Sequence, residues 1–513
     1  MQTFDKLNRT IYEKKNGVDA VPTYPVKAIQ VGDGNFIRSF VDWLIAQMNA
    51  KGYFQGQVVT VQALPTDQTT EKLNEQNGYY TVMLKGNLNG ELIDEAQIIP
   101  SIEYGLNPYM EWESLLQLVE EEEVAFLFSN TTEAGIVYEK EAYNPHRCPN
   151  NYPAKVTALL YHRFNHFHGD VNKGWTMVPC ELIERNGDQL KSICLQVAND
   201  WQLEQAFIDW VEDACVFCNT LVDRIVPGFP KSSVESYFEQ LGYEDSLLTI
   251  AEPYHLFVIE GPSEIEQKLP FREAGLNVVF DQVAPYRNLK VTLLNGSHSI
   301  LTLLGLLMNI ENVKASLDHE QIRQFLRRIL KDEMIASMPS EIQPKAMDYI
   351  EGMMNRFNNP FIEHKLTDIS LNSFSKFQTR LLPSLTAYIE KYDALPKRLT
   401  FMLAAQFYYL QEGIRHGNQF IRDDEKVLKT FETFYRKDVI TEHDVKQFMH
   451  TIIQTYFKVQ VDWHEELVNQ VRNDYALIEQ KGIEEAIQNL KVGKKNEENR
   501  MSRTKKYGVN YSR

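Results

Sequence analysis

A chain of 513 residues, 43% hydrophobic and 24% charged, is globular in composition and long enough for two large domains. A formal net charge of −17 speaks against general nucleic-acid binding, which needs clustered Lys and Arg, but leaves room for a small anionic substrate held by one local basic pocket. Five cysteines are too few and too scattered for a disulfide framework, no apolar window reaches the ~20 residues of a membrane span, and residues 1–16 lack a secretory apolar core, so a soluble cytoplasmic chain without membrane partners is expected.

Residues 1–25 read as a loosely ordered lead-in. The apolar run Val26-Lys27-Ala28-Ile29-Gln30-Val31 then reads as a buried strand, and Gly32-Asp33-Gly34-Asn35-Phe36-Ile37-Arg38 as the turn that closes it. After the turn the period changes. Phe36, Phe40, Trp43, Leu44 and Met48 recur at helical spacing, and the β-branched run 57–62 is the next strand. Strand, glycine turn, helix and strand make a βαβ unit and imply a parallel sheet. Gly32 would permit the tight turn, and Gly34 would let a pyrophosphate approach the helix N-terminus. The third glycine of the dinucleotide fingerprint is replaced by Ile37, so a simple turn is the competing reading.

Residues 79–104 hold short alternating segments, expected as extra strands inserted after the second Rossmann strand. Residues 124–128 form another buried strand, running into Ser129-Asn130-Thr131-Thr132-Glu133. Ligands bind beyond the carboxyl ends of strands in such sheets, which makes Asn130 and Thr131 cofactor neighbours, or else helix caps. Residues 155–167 read as a helix with surface histidines at 162, 166 and 168. Residues 175–180, 248–251, 255–259 and 277–280 read as strands, with a turn at Arg185-Asn186-Gly187. Cys215 and Cys218 form a CxxC without a second pair, which favours two small buried residues over zinc.

From about residue 285 onward helical periodicity dominates. The expected plan is an α/β N-terminal Rossmann-type domain with inserted strands (1–284), a mostly α-helical catalytic domain (285–490) and a weakly ordered basic tail (491–513). At the start of the helical half, Lys290, Asn295 and His298 punctuate an apolar run. On a single α-helix, ~100° per residue places Asn295 ~140° and His298 ~80° around from Lys290, all within one half of the helix. An exchangeable amine, an amide donor and an imidazole suit metal-free carbonyl reduction. A polar stripe on a bundle helix is the bland alternative.

The segments 29–38, Val222-Asp223-Arg224-Ile225-Val226-Pro227 and the Lys290, Asn295, His298 set resemble the mannitol dehydrogenase family of polyol-specific long-chain dehydrogenases. The order and separation of these motifs match over nearly the whole chain. Residues 36–43, 129–133 and Asn359-Pro360-Phe361-Ile362 bring it closest to the branch that acts on uronates.

That resemblance implies NAD as cofactor and reversible reduction of tagaturonate to altronate in hexuronate breakdown. Fructuronate reduction or polyol oxidation is the alternative, and a silent nucleotide sensor the remote one. It implies Lys290 as general acid/base, Asn186 and Asn295 as amides on the carbonyl oxygen, and His298 as the residue that positions the lysine. It places the cofactor on Ile29, Gly32, Asp33, Gly34, Asn35, Phe36, Arg38, Asn130 and Thr131. Asp223 matches a polar contact near the site, or else partners Arg224. Arg287, one helical turn before Lys290, stands where polyol members carry an acid. It is a candidate for the substrate carboxylate or a surface arginine, with Lys376 and Arg380 as weaker candidates. The acid that often binds the ribose hydroxyls is replaced by Gln62 at the end of the second strand, and the nearest acid is Asp67. A monomer or a dimer is open.

Overall fold

The computed structural model describes residues 4–17, 23–88, 90–131, 135–361, 364–417, 421–435, 442–457 and 464–492. Contacts divide the chain into two compact units, Met1–Tyr286 and Arg287–Arg513.

The first unit is built on six parallel strands. In chain order its strands are β1 (Val26–Val31), β2 (Gln57–Val61), β3 (Tyr80–Leu88), β4 (Glu91–Ile99), β5 (Ile102–Leu106), β6 (Phe126–Ser129), β7 (Thr176–Pro179), β8 (Val216–Phe217), β9 (Asn219–Asp223), β10 (Thr249–Ala251), β11 (Leu256–Glu260) and β12 (Val278–Phe280). The main sheet runs β5-β2-β1-β6-β7-β8, with every pair parallel. Helices cover both faces, so its strands read as continuous apolar runs: β1 is fully buried from Ala28 to Val31 and β2 along its whole length. The chain leaves β1 toward β2 on one side and joins β6 on the other. This reversal opens a crevice beyond the carboxyl ends of β1 and β6.

Two expectations change here. Of the strands in 79–104, β3 and β4 pair as a hairpin and form a separate small sheet with β10, but β5 returns to the main sheet as its edge. Within the expected lead-in, residues 4–17 are also ordered. Helix Arg9–Asn16 is capped by Asn8, whose Oδ1 accepts from Ile11 N at 3.0 Å, and ends on Gly17 in the left-handed region. Leu7 is fully buried, and its N–H donates to Glu244 O at 2.8 Å. The CxxC cysteines are both buried, in different apolar clusters. His162 and His166 lie at the surface beside Glu120.

The helix after β1 is continuous from residue 35 to 50 but changes pitch, with a π-helical stretch at Arg38–Asp42. Asp42 is fully buried. Its Oδ2 accepts from Gln30 Nε2 at 3.0 Å while its Oδ1 has no partner. Burial pushes its carboxyl up to about 8, against the opposing hydrogen bond from Gln30 and charge of Arg38. A carboxyl raised in the folded state keeps a proton that the unfolded chain releases, so its contribution to stability falls as pH rises from about 4 through about 8. The D42N variant removes that dependence. Its stability relative to the parent should rise with pH up to about 8 and then level off in paired urea titrations, and a gap that does not change with pH would contradict this.

The second unit is helical. Helix Gly296–Leu307 buries residues all around its circumference, which makes it a core helix rather than a surface one. It packs on helices Val313–Asp318, Leu366–Ile369, Ser373–Arg380 and Lys397–His416. From residue 493 onward the expected basic tail lies outside the described residues, as do 132–133 and 362 of the motif segments.

Candidate active site

The first unit supplies the crevice. Gly32 follows β1 at φ 107°, and a Cβ there would stand 2.8 Å from Asn130 O. Only glycine lets the ends of β1 and β6 meet this closely. Gly32 N donates to Val61 O at 2.9 Å and Asn130 N to Val31 O at 3.0 Å, locking three strand ends together. Gly34 is exposed, and nothing lies within 4 Å of where its Cβ would be. The backbone is therefore bare where the 16-residue helical run begins, which suits the close approach of a pyrophosphate.

Some residues expected on the cofactor have side chains engaged within the fold. Ile29 is fully buried in the core of the sheet, so its side chain builds the strand and not the pocket. Arg38 is also buried, and its three nitrogens donate to Asp33 O (2.9 Å), Leu247 O (2.6 Å) and Asn35 Oδ1 (2.9 Å). It holds the glycine turn in shape from behind. Phe36 is half-buried and stacks on Phe40 at 5.1 Å. Asn130 and Thr131 cap no described helix: Asn130 Nδ2 donates to Cys180 O at 3.0 Å, and Thr131 donates to Glu181 Oε1 from both its N and Oγ1 at 2.9 Å.

Asp33 is buried, and burial followed by the nearby Asp67 carboxylate raises its carboxyl to about 7, with Arg38 pulling the other way. Burial also pushes Asp67 upward. Asp33 and the hydrogen bonds from Thr69 and Gln68 outweigh that and leave it lowered. Gln62 is fully engaged, accepting from Thr70 and donating to Leu64 O. The acids beyond β1 and β2 are thus Asp33 and Asp67.

Asn186 opens helix Asn186–Asp200 and is fully buried. Its Nδ2 donates to Pro179 O, Glu181 O and Thr220 Oγ1, each at 3.1 Å, and its Oδ1 accepts from Gly187 N and Thr220 N, each at 2.9 Å. An amide has two hydrogens, and three acceptors already share them. In this arrangement Asn186 ties the ends of β7 and β9 together. Asp223 is buried at the end of β9. Arg224 turns away from it, donating to Glu252 O at 2.7 Å and Ser39 O at 2.6 Å and lying 4.3 Å over Trp43.

Glu181 was not singled out by the sequence. It is buried at the carboxyl end of β7, its side chain holds Ser129 and Thr131, and its carbonyl holds Asn186. Burial raises its carboxyl, against the hydrogen bonds from Thr131 and Ser129. An acid directly after a buried strand is the only local signal, and nothing local reports its partners 50 residues away.

The second unit holds Lys290, Asn295 and His298 on one helical run, but not on one α-helix. Lys290–Asn295 is π-helical, and Gly296 N donates back to Val291 O, five residues earlier. The ~100° per residue of an α-helix does not hold across this stretch, so the angular positions expected for Asn295 and His298 are superseded. π-Helical turns recur at functional sites, and two of those described here fall on Arg38–Asp42 and Lys290–Asn295.

Lys290 and Arg287 are half-buried. The side chain of Asn295 is half-buried and makes no hydrogen bond among the described residues; only its carbonyl is used, by Ser299 Oγ at 3.2 Å and Arg380 Nη1 at 3.3 Å. His298 is 8% exposed and its Nε2 has no partner. Its ring stacks on Phe357 at 4.5 Å and meets the edge of His364 at 5.1 Å. Burial, and then the positive fields of His364, Arg380, Arg356 and Lys376, hold the imidazole well below its usual range, so it is neutral at pH 7. Lys376 Nζ donates to Ile369 O at 2.8 Å, and burial and Arg380 lower its ammonium while Asp423 raises it.

Three comparisons bear on this arrangement. The family profile for the mannitol dehydrogenase Rossmann domain matches residues 26–272, and that for the mannitol dehydrogenase C-terminal domain matches residues 282–479. Altronate oxidoreductase of Halalkalibacterium halodurans is 38% identical over 90% of this chain and 93% of its own. That of Bacillus subtilis is 41% identical over 83% of this chain and 86% of its own. Among solved structures, Pseudomonas fluorescens mannitol 2-dehydrogenase, in a ternary complex with NAD and D-mannitol, superposes with a TM-score of 0.67 at 19% identity, covering 94% of this chain and 99% of that one.

Proposed function

The chain belongs to the mannitol dehydrogenase family and is an oxidoreductase acting on CH–OH groups, and from that premise we propose that it is an NAD-dependent reductase converting tagaturonate to altronate. Its relatives at about 40% identity over most of their length carry the altronate oxidoreductase name. The observation that carries the chemistry is Lys290, Asn295 and His298 on a π-distorted helical run, with an unused amide on Asn295 and a neutral imidazole on His298.

A nicotinamide bound at the glycine turn would be held by Gly32, Gly34 and Asn35 and would supply hydride to the carbonyl carbon. The side chains of the second unit handle the charge and the proton. Negative charge grows on the carbonyl oxygen, and the Asn295 amide donates to it, an interaction worth about 2.7–4 kcal/mol when well aimed. Lys290 delivers the proton to the same oxygen. His298 cannot compete as a cation because its surroundings keep it neutral, so its part is to orient the amine. Asn186 acts at a distance, by fixing the ends of β7 and β9.

Cofactor choice follows from Asp33 and Asp67. A 2′-phosphate would bring about two negative charges against this acidic pair, whereas ribose hydroxyls can donate to it. Replacing Asp67 by Ala should lower the NADH-to-NADPH ratio of kcat/KM at least about tenfold, and an unchanged ratio would move the discrimination elsewhere. The substrate is tested by NADH oxidation with tagaturonate, fructuronate, fructose and fructose 6-phosphate in parallel. The highest kcat/KM with tagaturonate supports the reading, the highest with fructuronate replaces the substrate, and activity confined to fructose or its phosphate refutes the sugar-acid assignment.

A further inference from the structure

Glu181 lies just past the end of β7 and is 2% exposed. Taking a carboxylate out of water is costly unless hydrogen bonds replace the solvent. Here its two oxygens take donors from different residues at the end of β6. Oε2 accepts from Ser129 Oγ at 3.0 Å, and Oε1 accepts from Thr131 N and Thr131 Oγ1, each at 2.9 Å. The preceding residue adds to this hold: Cys180 N donates to Ser129 O at 2.7 Å, and Asn130 Nδ2 donates to Cys180 O at 3.0 Å. Residues 180 and 181 thus grip 129, 130 and 131 in turn.

The gripped segment borders the glycine turn. Asn130 N donates to Val31 O at 3.0 Å, and Asn130 O stands 2.8 Å from the place a Gly32 Cβ would take. The carboxyl ends of β1 and β6 are the two lips of the crevice, so a shift of 129–131 moves the wall that faces the turn. On its other side Glu181 is anchored. Its carbonyl accepts from Asn186 Nδ2 at 3.1 Å, and Asn186 is tied in turn to Thr220 on β9. The negative charge of a carboxylate would repel a pyrophosphate, so charge is not what Glu181 brings to the crevice. What it brings is position, one rigid group with an oxygen for each of two residues.

We propose that Glu181 is a positioning residue for the cofactor, holding Ser129–Thr131 at the separation from Gly32 that a dinucleotide needs as it crosses from β1 to β6. It acts through Thr131. The inference rests on the proposed nicotinamide-dependent activity and adds the residue that sets the width of its crevice.

The test is fluorescence titration with NADH of the full-length parent, E181Q, E181D and E181L, followed by steady-state reduction of tagaturonate. E181Q keeps an oxygen for Thr131 and offers Ser129 Oγ an N–H to accept, so it should bind NADH within about threefold of the parent. E181D keeps the charge but withdraws the oxygens by one methylene and should bind about tenfold more weakly. E181L offers no acceptor and should bind about 30-fold more weakly. KM for NADH should rise in step, while kcat and the KM for tagaturonate at saturating NADH stay within about threefold of the parent. T131V should cost about threefold in the parent background and nothing further in E181L.

Unchanged NADH affinity in E181D and E181L, even with a lowered melting temperature, would overturn the assignment. So would a loss in E181Q as large as that in E181L, a fall in kcat without a rise in the KM for NADH, or a T131V penalty of equal size in both backgrounds. Should E181L not fold, E181D against E181Q decides: weaker binding in E181D alone supports positioning, and weaker binding in E181Q alone overturns it. If the parent binds NADPH and not NADH, the same titrations run with NADPH. A parent that binds neither refutes the nicotinamide reading and this inference with it. NADH binding without turnover of tagaturonate refutes the substrate alone, and the affinities of the variants still decide the role of Glu181.

Discussion

Replacing Lys290 by alanine is expected to lower kcat about 10³- to 10⁴-fold while leaving the binding of cofactor nearly unchanged. The reason is one of charge. Hydride arrives at carbon with two electrons and no proton, and the alkoxide that results is a poor product until it is protonated. Solvent can protonate it, but not in step with the transfer. The loss should therefore appear in kcat and in kcat/KM alike, the signature of an interaction made in the transition state. The direction with pH comes from the same role. Reduction needs the ammonium form and falls as pH rises through the lysine pKa; oxidation needs the free amine and rises through it. Both limbs should vanish in the K290A variant, and a small primary amine added to the buffer should restore part of its rate. A K290A protein within tenfold of the parent, with both limbs intact, would remove Lys290 from the chemistry.

The second large effect is expected at the glycine turn, where two neighbouring substitutions should part company. Gly32 sits at φ 107° with Asn130 O 2.8 Å from the position of its missing Cβ. Alanine there meets both a disfavoured backbone region and a carbonyl that two strands hold in place, so G32A should lose stability by about 2–4 kcal/mol and bind NADH at least about 100-fold more weakly. Gly34 stands at φ −68° with open space where a Cβ would go. G34A should keep the melting temperature of the parent and yet weaken NADH binding, because the methyl intrudes on the bare backbone where the pyrophosphate is received. Thermal unfolding and NADH fluorescence titration on the two variants separate the contributions. Equal NADH affinity in G34A and the parent would place the cofactor elsewhere.

How much of this is legible in the residues depends on the range of the interaction that fixes each feature. The βαβ unit is legible because its signals are local: two apolar runs too short for helices, a change to helical period after Gly34, and β-branched residues in β2. β10, β11 and β12 stand within a residue or so of their expected places for the same reason. That β5 leaves the hairpin beside it and pairs with β2 is a matter of partners 44 residues apart in sequence at Val58 and Ile102, which alternation cannot report. The N-terminal helix is missed because residues 9–16 are mostly polar, and Leu7, which anchors the segment against residue 244, is a single residue.

The candidate catalytic set divides in the same way. Lys290, Asn295 and His298 share one stretch of chain and stand out by polarity, but the π turn that sets their true directions has no signature in composition. Arg38 and Asn186 come forward as ligand residues through the family resemblance alone. The hydrogen bonds that engage them run to Leu247, Pro179 and Thr220, and only the folded chain reveals those. Glu181 is the converse: a single residue with little local signal, which the fold brings beside Thr131.

One measurement reaches the lysine-driven chemistry most directly: NADH consumption and altronate formation followed together, by absorbance and by NMR, with the purified chain, tagaturonate and EDTA in excess. One altronate for each NADH, at a rate unaffected by the chelator and abolished in K290A, is the predicted result. No turnover of tagaturonate, or turnover that stops with EDTA and returns with a divalent metal, would contradict a lysine-driven sugar-acid reductase.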